Sequence, residues 1–569
     1  MSKKIFSESK ALYDERLGFE HNQEHELWNR RQFLTTGSIL GLGTMLLSGL
    51  PVSPIISRQT LSAANMANDN ILVLIRMFGG NDGLNMVVPY SESVGGDFYR
   101  KNLRPDISLK YGADYNDNHL LTGFGDTDWA LPSQMNSIMP LWKEGKMNII
   151  HNVGYPNQDY SHFTSDRNWA TASTSDADPT AKSGIMGRYL NYDLPSLDQT
   201  SPSVPPALRI GYSNQAIFTS PKQKQLELVF YNADQFYQFA QRGAFHDTSN
   251  LGDCAKDQEV AFLRQLTNNS LRYSEKIYQV YNKTKASLTP PNNQGYNNIA
   301  RELGIVSRLI RGRLGTRIYM LDMNGFDTHE NQRNIHPRLM QELAEAVSYF
   351  FNDLKTENAE SNVTVMTYSE FGRTIRENGS DGTDHGNLSP ILMFGDQVKG
   401  GFFGQHIVLD DPGLINGSTL VFYEDAKQKP TDFRSVFASV LQNYMCVNEE
   451  ATDYVLGNNY KRLDLFKSSS CNSIENIGTN PYTVLLGHNP DSLNPLNINI
   501  KFSQISGSDV ELYIKALDGR VLAKLHDQYT PKGSYTVVID PVKWNLTKGE
   551  YIYQVNSGGK TYSRKFNII

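Results

Sequence analysis

Val363-Thr-Val-Met-Thr-Tyr-Ser-Glu-Phe-Gly-Arg-Thr-Ile-Arg-Glu-Asn-Gly-Ser-Asp-Gly-Thr-Asp-His-Gly386 reads as a buried strand running into a glycine-rich loop. Residues 363–367 are β-branched or apolar, so Ser369 and Glu370 emerge where the strand meets its loop. Gly372, Gly379, Gly382 and Gly386 then let the backbone fold tightly around something small. Into that loop fall Glu370, Arg373, Arg376, Asp381, Asp384 and His385. Carboxylates and an imidazole gathered at a strand end are the donors a hard or borderline metal ion takes. A solvated turn closed by a strand-end glutamate would use the same residues.

The same arrangement recurs on either side. Ile71-Leu-Val-Leu-Ile75 is a continuous apolar run and predicts a central parallel strand. It leads into Phe78-Gly-Gly-Asn-Asp-Gly-Leu-Asn85, which puts Asp82 in a loop at the strand's carboxyl end, where α/β sheets place their ligands. Asn-Asp-Gly is equally good turn chemistry. Arg317-Ile-Tyr-Met-Leu321 predicts another strand, followed by Asn324-Gly-Phe-Asp-Thr-His-Glu-Asn-Gln332. Asp327 and His329 are two apart, so in an extended loop both side chains point to one side. Met147-Asn-Ile-Ile150 is a further strand before His151 and a loop. Beyond it, in Tyr160-Ser-His-Phe163, Ser161 is placed as a helix N-cap. That position feels the helix dipole, which favours an alkoxide or a bound oxyanion. His162 beside it is a candidate substrate or metal contact, with a packed surface imidazole as the plain alternative.

Apolar residues at helical spacing cover 257–285 and 299–314. His336-Pro337 opens a helix that shows Leu339, Leu343, Val347, Phe350 and Leu354 on one face. Ile391-Leu-Met-Phe394 is a strand, Lys399-Gly-Gly-Phe-Phe-Gly404 a tight turn, and 431–445 a helix. Strands alternating with helices over 71–466 predict an α/β fold with a mostly parallel, doubly wound sheet. Neither GxGxxG nor a Walker A pattern is present, so a nucleotide site has no support.

At 569 residues the chain is too long for one core. Its 39% hydrophobic and 20% charged residues are ordinary for a globular protein, and 30 tyrosines suit an exported one with β-rich parts. A net charge of −6 without a long basic run argues against nucleic-acid partners. Cys254, Cys446 and Cys471 have no CxxC spacing, which leaves at most one bridge in an oxidising compartment. Arg30-Arg31-Gln-Phe-Leu34 precedes a 14-residue apolar run, 37–50, too short for a comfortable membrane span and suited to a signal peptide. The paired arginines resemble a twin-arginine export signal, with 1–67 as leader and a short membrane anchor as the alternative. Ser468-Ser-Ser-Cys-Asn-Ser473 and the Asn/Pro-rich 476–495 mark a linker, taken as 467–484. Past it the pattern shifts to short alternating strands, 498–502, 510–516, 535–539 and 551–556, expected to form a β-sandwich over 485–569.

Residues 68–466 resemble the domain-of-unknown-function-1501 family, sulfatase-like proteins of the alkaline phosphatase superfamily. The likeness is carried by Gly79-Gly-Asn-Asp-Gly-Leu-Asn-Met-Val-Val-Pro-Tyr90, Ser161-His-Phe163, Gly325-Phe-Asp-Thr-His-Glu-Asn-Gln332, Ser369-Glu-Phe-Gly-Arg-Thr374 and Gly382-Thr-Asp-His-Gly386. It implies metals held by Asp and His at the strand ends. Asp82, Asp327, His329 and His385, with Asp384 and Glu370, would be ligands and Ser161 the nucleophile. Apart from the resemblance, His162 is the candidate contact named above, and Arg373, Arg376 or Arg167 could neutralise a substrate oxyanion as forked donors do. Such a mixed set favours zinc or manganese, with calcium as the alternative. Superfamily hydrolases commonly read Ser-Asp-His-Gly where this chain has Ser369-Glu370-Phe371-Gly372, which would reduce two metals to one. The absence of Cys-x-Pro-x-Arg and Ser-x-Pro-x-Arg argues against a formylglycine sulfatase.

The last eighty or so residues resemble the type A sorting domain of the type IX secretion system. His488-Asn-Pro490, Leu517-Asp-Gly-Arg520, Leu546-Thr-Lys-Gly-Glu-Tyr551 and Gly558-Gly-Lys-Thr-Tyr-Ser-Arg-Lys-Phe566 carry that likeness. Together these features lead us to expect a metal-dependent hydrolase of phosphate or sulfate esters, taking an oxyanion ester as substrate. The twin-arginine translocase and the type IX machinery would carry it to the surface or exterior of a Gram-negative bacterium, through the periplasm and with no transmembrane span in the mature chain. The rival expectation is a non-catalytic surface protein that keeps the fold and binds glycan or matrix.

Overall fold

A computed structural model describes residues 45–47, 50–52, 70–109, 128–175, 178–193, 204–211, 215–221, 225–241, 268, 271–291, 297–405, 409, 430–467, 483–490, 498–504, 508–516, 519–530, 533–557 and 560–568. The paired arginines, Cys254, Cys471 and much of 257–285 lie outside them. The chain divides into two compact units, one built mainly from 70–439 and 450–465, the other mainly from 466–569.

The first unit is built on a nine-stranded sheet. Its strands are β1 (Ile71–Met77), β2 (Met147–Gly154), β3 (Ala207–Ile210), β4 (Glu227–Phe230), β5 (Ile318–Met323), β6 (Val363–Tyr368), β7 (Ser389–Phe394), β8 (Gly401–Phe403) and β9 (Thr431–Asp432). They lie in the order β8-β2-β7-β6-β1-β5-β3-β4, and β9 also pairs with β2. All pairings are parallel except those of β7, which runs antiparallel to both β6 and β2. Leu72, Val73, Leu74 and Ile75 of β1 are wholly buried, as a strand covered on both faces requires.

The first unit's helices include α1 (His162–Thr171), α2 (Ile185–Asp193), α3 (Ile299–Arg311), α4 (Gln332–Lys355) and α5 (Phe433–Ser439). On α4 the expected apolar face is fully buried at Leu339, Leu343, Val347, Phe350 and Leu354. Three local expectations are corrected. Helix α4 begins at Gln332, so Pro337 lies inside it instead of opening it. His151 is part of β2, wedged between the rings of Trp129 and Phe402. The turn expected at 399–404 contains β8, because β2 offers an open edge to pair with. Strands β3 and β4 have no counterpart in the sequence prediction. At four residues each they are too short to show a period.

What matters for the site is that β6, β1 and β5 are parallel neighbours in matched register. Tyr368 lies opposite Arg76, and Arg76 opposite Asp322. Their carboxyl ends are therefore level, and the loops that follow open at one edge of the sheet.

The second unit holds two antiparallel sheets. One joins β10 (Thr483–Pro490), β11 (Ile498–Gln504) and β14 (Gly533–Ile539); the other joins β13 (Val521–Thr530), β12 (Ser508–Lys515), β15 (Gly549–Ser557) and β16 (Lys560–Ile568). Side chains of both, among them Ile500, Phe502, Leu512, Ile514, Tyr553 and Val555, form one buried cluster, so the unit is a sandwich. Strand β10 begins at Thr483, two residues before the expected start of the sandwich at 485. No helix among the described residues is long and apolar enough to cross a membrane.

Candidate metal centre

Three imidazoles and one carboxylate meet at the edge where β5, β6 and β1 end. His385 Nε2 lies 3.0 Å from His329 Nε2 and 3.2 Å from Asp327 Oδ1. His329 Nε2 is also 3.2 Å from Asp327 Oδ1, and His162 Nε2 is 3.5 Å from Asp327 Oδ2. Donor atoms of His162, Asp327 and His385 all fall within 4.8 Å of one another. Each group arrives from a different element. Asp327 and His329 follow β5, His385 closes the loop after β6, and His162 is the first residue of α1.

Behind each imidazole stands a hydrogen-bond acceptor. His162 Nδ1 is 2.8 Å from Glu370 Oε1, His329 Nδ1 is 3.1 Å from Asp384 Oδ1, and His385 Nδ1 is 2.8 Å from the Tyr160 carbonyl. An acceptor at Nδ1 fixes the proton there and leaves the Nε2 lone pair facing inward. Three Nε2 lone pairs and a carboxylate facing one another repel unless a cation lies among them. The separations of Asp327 from the three imidazoles and of His329 from His385, 3.0–3.5 Å, are close to the roughly 3.3 Å donor spacing around a tetrahedral ion with bonds of about 2.0–2.1 Å, while His162, Asp327 and His385 span up to 4.8 Å. The residues therefore fit a divalent metal, with Glu370 and Asp384 as partners behind the ligands.

Electrostatics follow this geometry. The hydrogen bond to Glu370 raises the pKa of His162, against the opposing effect of burial. Burial lowers that of His385. Asp327 is partly buried, which alone would raise its pKa, but Arg373 and the histidines hold it below the usual carboxylate range. Phe371 is fully buried, with its ring 4.8 Å from that of His162 and 4.7 Å from that of His385, so it packs the two ligands from behind.

Several residues predicted for the site serve it differently. Asp82 does not join the cluster. It is buried, caps the helix Gly83–Met86, and gives both oxygens to Arg104 (2.9 and 2.7 Å) and one also to Gln332. Glu370 is fully buried and accepts from the Gly79 amide at 2.8 Å as well as from His162, which places it one shell behind the donors. Asp384 likewise supports His329. Arg373, expected to meet a substrate oxyanion, turns inward. Its nitrogens donate to the carbonyls of Gly80 (2.8 Å), Thr383 (2.9 Å), Phe326 (3.1 Å) and Gly79, and to Asp327. Ser161 is the N-cap of α1 as expected, accepting from the Thr164 amide at 3.5 Å. Sequence reading missed Arg104 and Gln332 as partners of Asp82, and Tyr160 as partner of His385. Arg104 lies in no motif, and a main-chain carbonyl leaves no trace in residue type.

The loop after β1 is built to admit this packing. Gly79 has φ 126°, and a Cβ there would lie 2.3 Å from the Asp327 amide nitrogen. Any side chain at 79 would push Asp327 out of the centre.

Fold and site together define an α/β protein with a three-histidine, one-aspartate candidate metal centre at the carboxyl edge of its sheet. Residues 275–468 match the family described as protein of unknown function (DUF1501). No curated protein matches the chain. Among solved structures it is similar to a protein in the alkaline phosphatase superfamily from Vibrio parahaemolyticus, at 9% identity over 91% of this chain and 82% of that one, with a TM-score of 0.27. A sulfatase from Pseudoalteromonas sp. is 9% identical over 84% of this chain and 85% of that one, with a TM-score of 0.27. The alkaline phosphatase of the Antarctic bacterium TAB5 is 9% identical over 60% and 94%, with a TM-score of 0.26.

Proposed function

We propose that the protein is an exported metal-dependent hydrolase of phosphate or sulfate esters, with one divalent ion, zinc or manganese, held by Asp327, His329, His385 and His162. The observation that carries this reading is the convergence of three Nε2 atoms on Asp327, each imidazole fixed from behind. A bound ion would act as a Lewis acid on the ester oxygen. The chain's own residues do the rest. Ser161 sits at the N-terminus of α1, beside His162, where the helix dipole favours negative charge on a hydroxyl or on a bound oxyanion. Glu370 and Asp384 hold two imidazoles in the ligating tautomer, and Arg373 fixes Asp327.

The test is metal analysis together with a panel of aryl phosphates and sulfates. His329→Ala and His385→Ala should lose metal and turnover together. Ser161→Ala should keep the metal and lose turnover at least a hundredfold. Asp82→Asn, outside the donor set, should keep one ion per chain. Two ions in the parent, or metal loss in Asp82→Asn, would refute the single-ion assignment. The commitment of Arg373 and Asp82 to internal contacts favours a second reading, a non-catalytic surface protein using the centre to bind glycan or matrix. An inactive panel with full metal content would select it.

Export is part of the proposal. Arg30 and Arg31 would address the chain to the twin-arginine translocase, and 485–569 would be the sorting domain for type IX secretion. The C-terminal sandwich and the disulfide at Cys446 support this, since bridges persist in oxidising compartments. Replacing both arginines by lysine should leave the protein in the cytoplasm on cell fractionation. Unchanged export would remove the twin-arginine reading.

A further inference from the structure

Tyr160 has φ 59°, a left-handed conformation that bulky L residues seldom adopt. Asn157, three residues earlier, is left-handed too (φ 58°), so the chain between β2 and α1 makes two unusual turns immediately before His162. Strain of this kind persists where the surroundings over-determine it, and it gathers at functional positions. The second turn has a definite product. It aims the Tyr160 carbonyl at His385 Nδ1, 2.8 Å away.

A carbonyl oxygen can only accept, so His385 Nδ1 must carry hydrogen and Nε2 must present its lone pair to Asp327 and His329. His162 and His329 get the same service from carboxylate side chains. His385 gets it from main chain. We propose that Tyr160 is a positioning residue, whose left-handed backbone sets the tautomer and aim of His385 for metal binding. The inference rests on the metal-centre reading above. It assigns the role to backbone conformation and not to the phenol, although the hydroxyl also meets Asn387.

This separates substitutions in an unusual way. Tyr160→Gly and Tyr160→Asn discard the ring but accept positive φ at little expense, so both should keep the carbonyl in place. Tyr160→Val discards the ring as well but, being β-branched, resists the left-handed region. Purified full-length variants, stripped of metal, would be titrated with zinc against a chromogenic chelator. In parallel, long-range proton–nitrogen spectra of histidine-labelled metal-free protein would report the His385 tautomer. We expect parent, Tyr160→Gly and Tyr160→Asn to agree within about threefold in zinc affinity and to show His385 protonated at Nδ1. Tyr160→Val should bind about 10–100-fold more weakly, the range seen when a partner behind a metal ligand is lost. Should Tyr160→Val fail to fold, the glycine and asparagine variants still decide. Zinc affinity in both as poor as that of His385→Ala would transfer the role to the ring and overturn the proposal. So would a parent His385 protonated at Nε2. A parent with the Nδ1 tautomer but no zinc affinity would uphold the positioning and refute the metal centre instead.

Discussion

Arg104 and Arg373 are both buried against an aspartate, yet the two aspartates meet different fates. Asp82 faces only protein donors, so Arg104 and Gln332 consume it and it becomes a structural ion pair. Asp327 shares Oδ1 among Arg373, His329 and His385, turns Oδ2 to His162, and remains about half exposed. A buried acid with no such cation behaves differently again. Glu302 on α3 is pushed from 4.5 up to about 8 by burial first and by the charge of Asp322 second. Below pH 4.5 both folded and unfolded chains hold this proton, and the residue imposes no ionisation penalty. As pH rises towards 8 the unfolded chain releases it while the folded one keeps it, so stability falls through that window. The penalty grows to at most about 5 kcal/mol, from some 3.5 pH units at 1.36 kcal/mol each. Glu302→Gln should therefore melt close to the parent at pH 4.5 and well above it at pH 8. A gap that does not widen with pH would show Glu302 to be solvated.

At the scale of elements, the centre is assembled by two loops laid against each other. The loop after β6 returns over the loop after β5, with the Thr383 amide donating to the Thr328 carbonyl at 3.1 Å and the Gln332 amide to the Asp381 carbonyl at 2.9 Å. Gly382 lies at the point of closest approach, where an added Cβ would be 2.2 Å from the His329 carbonyl oxygen and 2.3 Å from its carbon. Both are backbone atoms, so no rotamer change relieves the clash. Gly382→Ala should separate His329 from His385 and lower metal occupancy, with a stability loss of about 1–3 kcal/mol. Metal content measured beside the melting temperature checks it, and an unchanged occupancy would mean the loops part without moving the donors. Helix α1 is anchored from the other side. Arg76 at the end of β1 bridges Asp166 on α1 (2.5 Å) and Asp322 on β5 (2.6 Å), which pins the helix carrying His162 to the strands that carry the other donors.

Across the whole molecule, the two units have different grammars, a buried mixed sheet with helices and an antiparallel sandwich with a core of its own. Cys446 is disulfide-bonded, and the chain has three cysteines. Denatured, unreduced protein should therefore titrate one free thiol per chain, and reduced protein three. Three thiols without reductant would mean the bridge does not form, and the case for an oxidising destination would weaken.

The long periodic segments were legible in the sequence alone. The apolar run of β1, the β-branched β6 and the Leu339–Leu354 face of α4 each carry enough residues to show a period, and burial of those residues is what the period encodes. The strand-end positions of Asp327, His329 and His385 were legible for the same reason, because a parallel sheet sends all its carboxyl-end loops to one edge. Only the tertiary structure decided the rest. Strand β7 runs antiparallel because of where its neighbours lie, and nothing in Ser389–Phe394 specifies a direction. The roles of Asp82, Glu370 and Arg373 turned on which partner stood within 3 Å, and those partners are up to 294 residues away in the chain. Residue type tells what a side chain can do; hydrogen-bond geometry, which falls off within an ångström, determines which of those things it does.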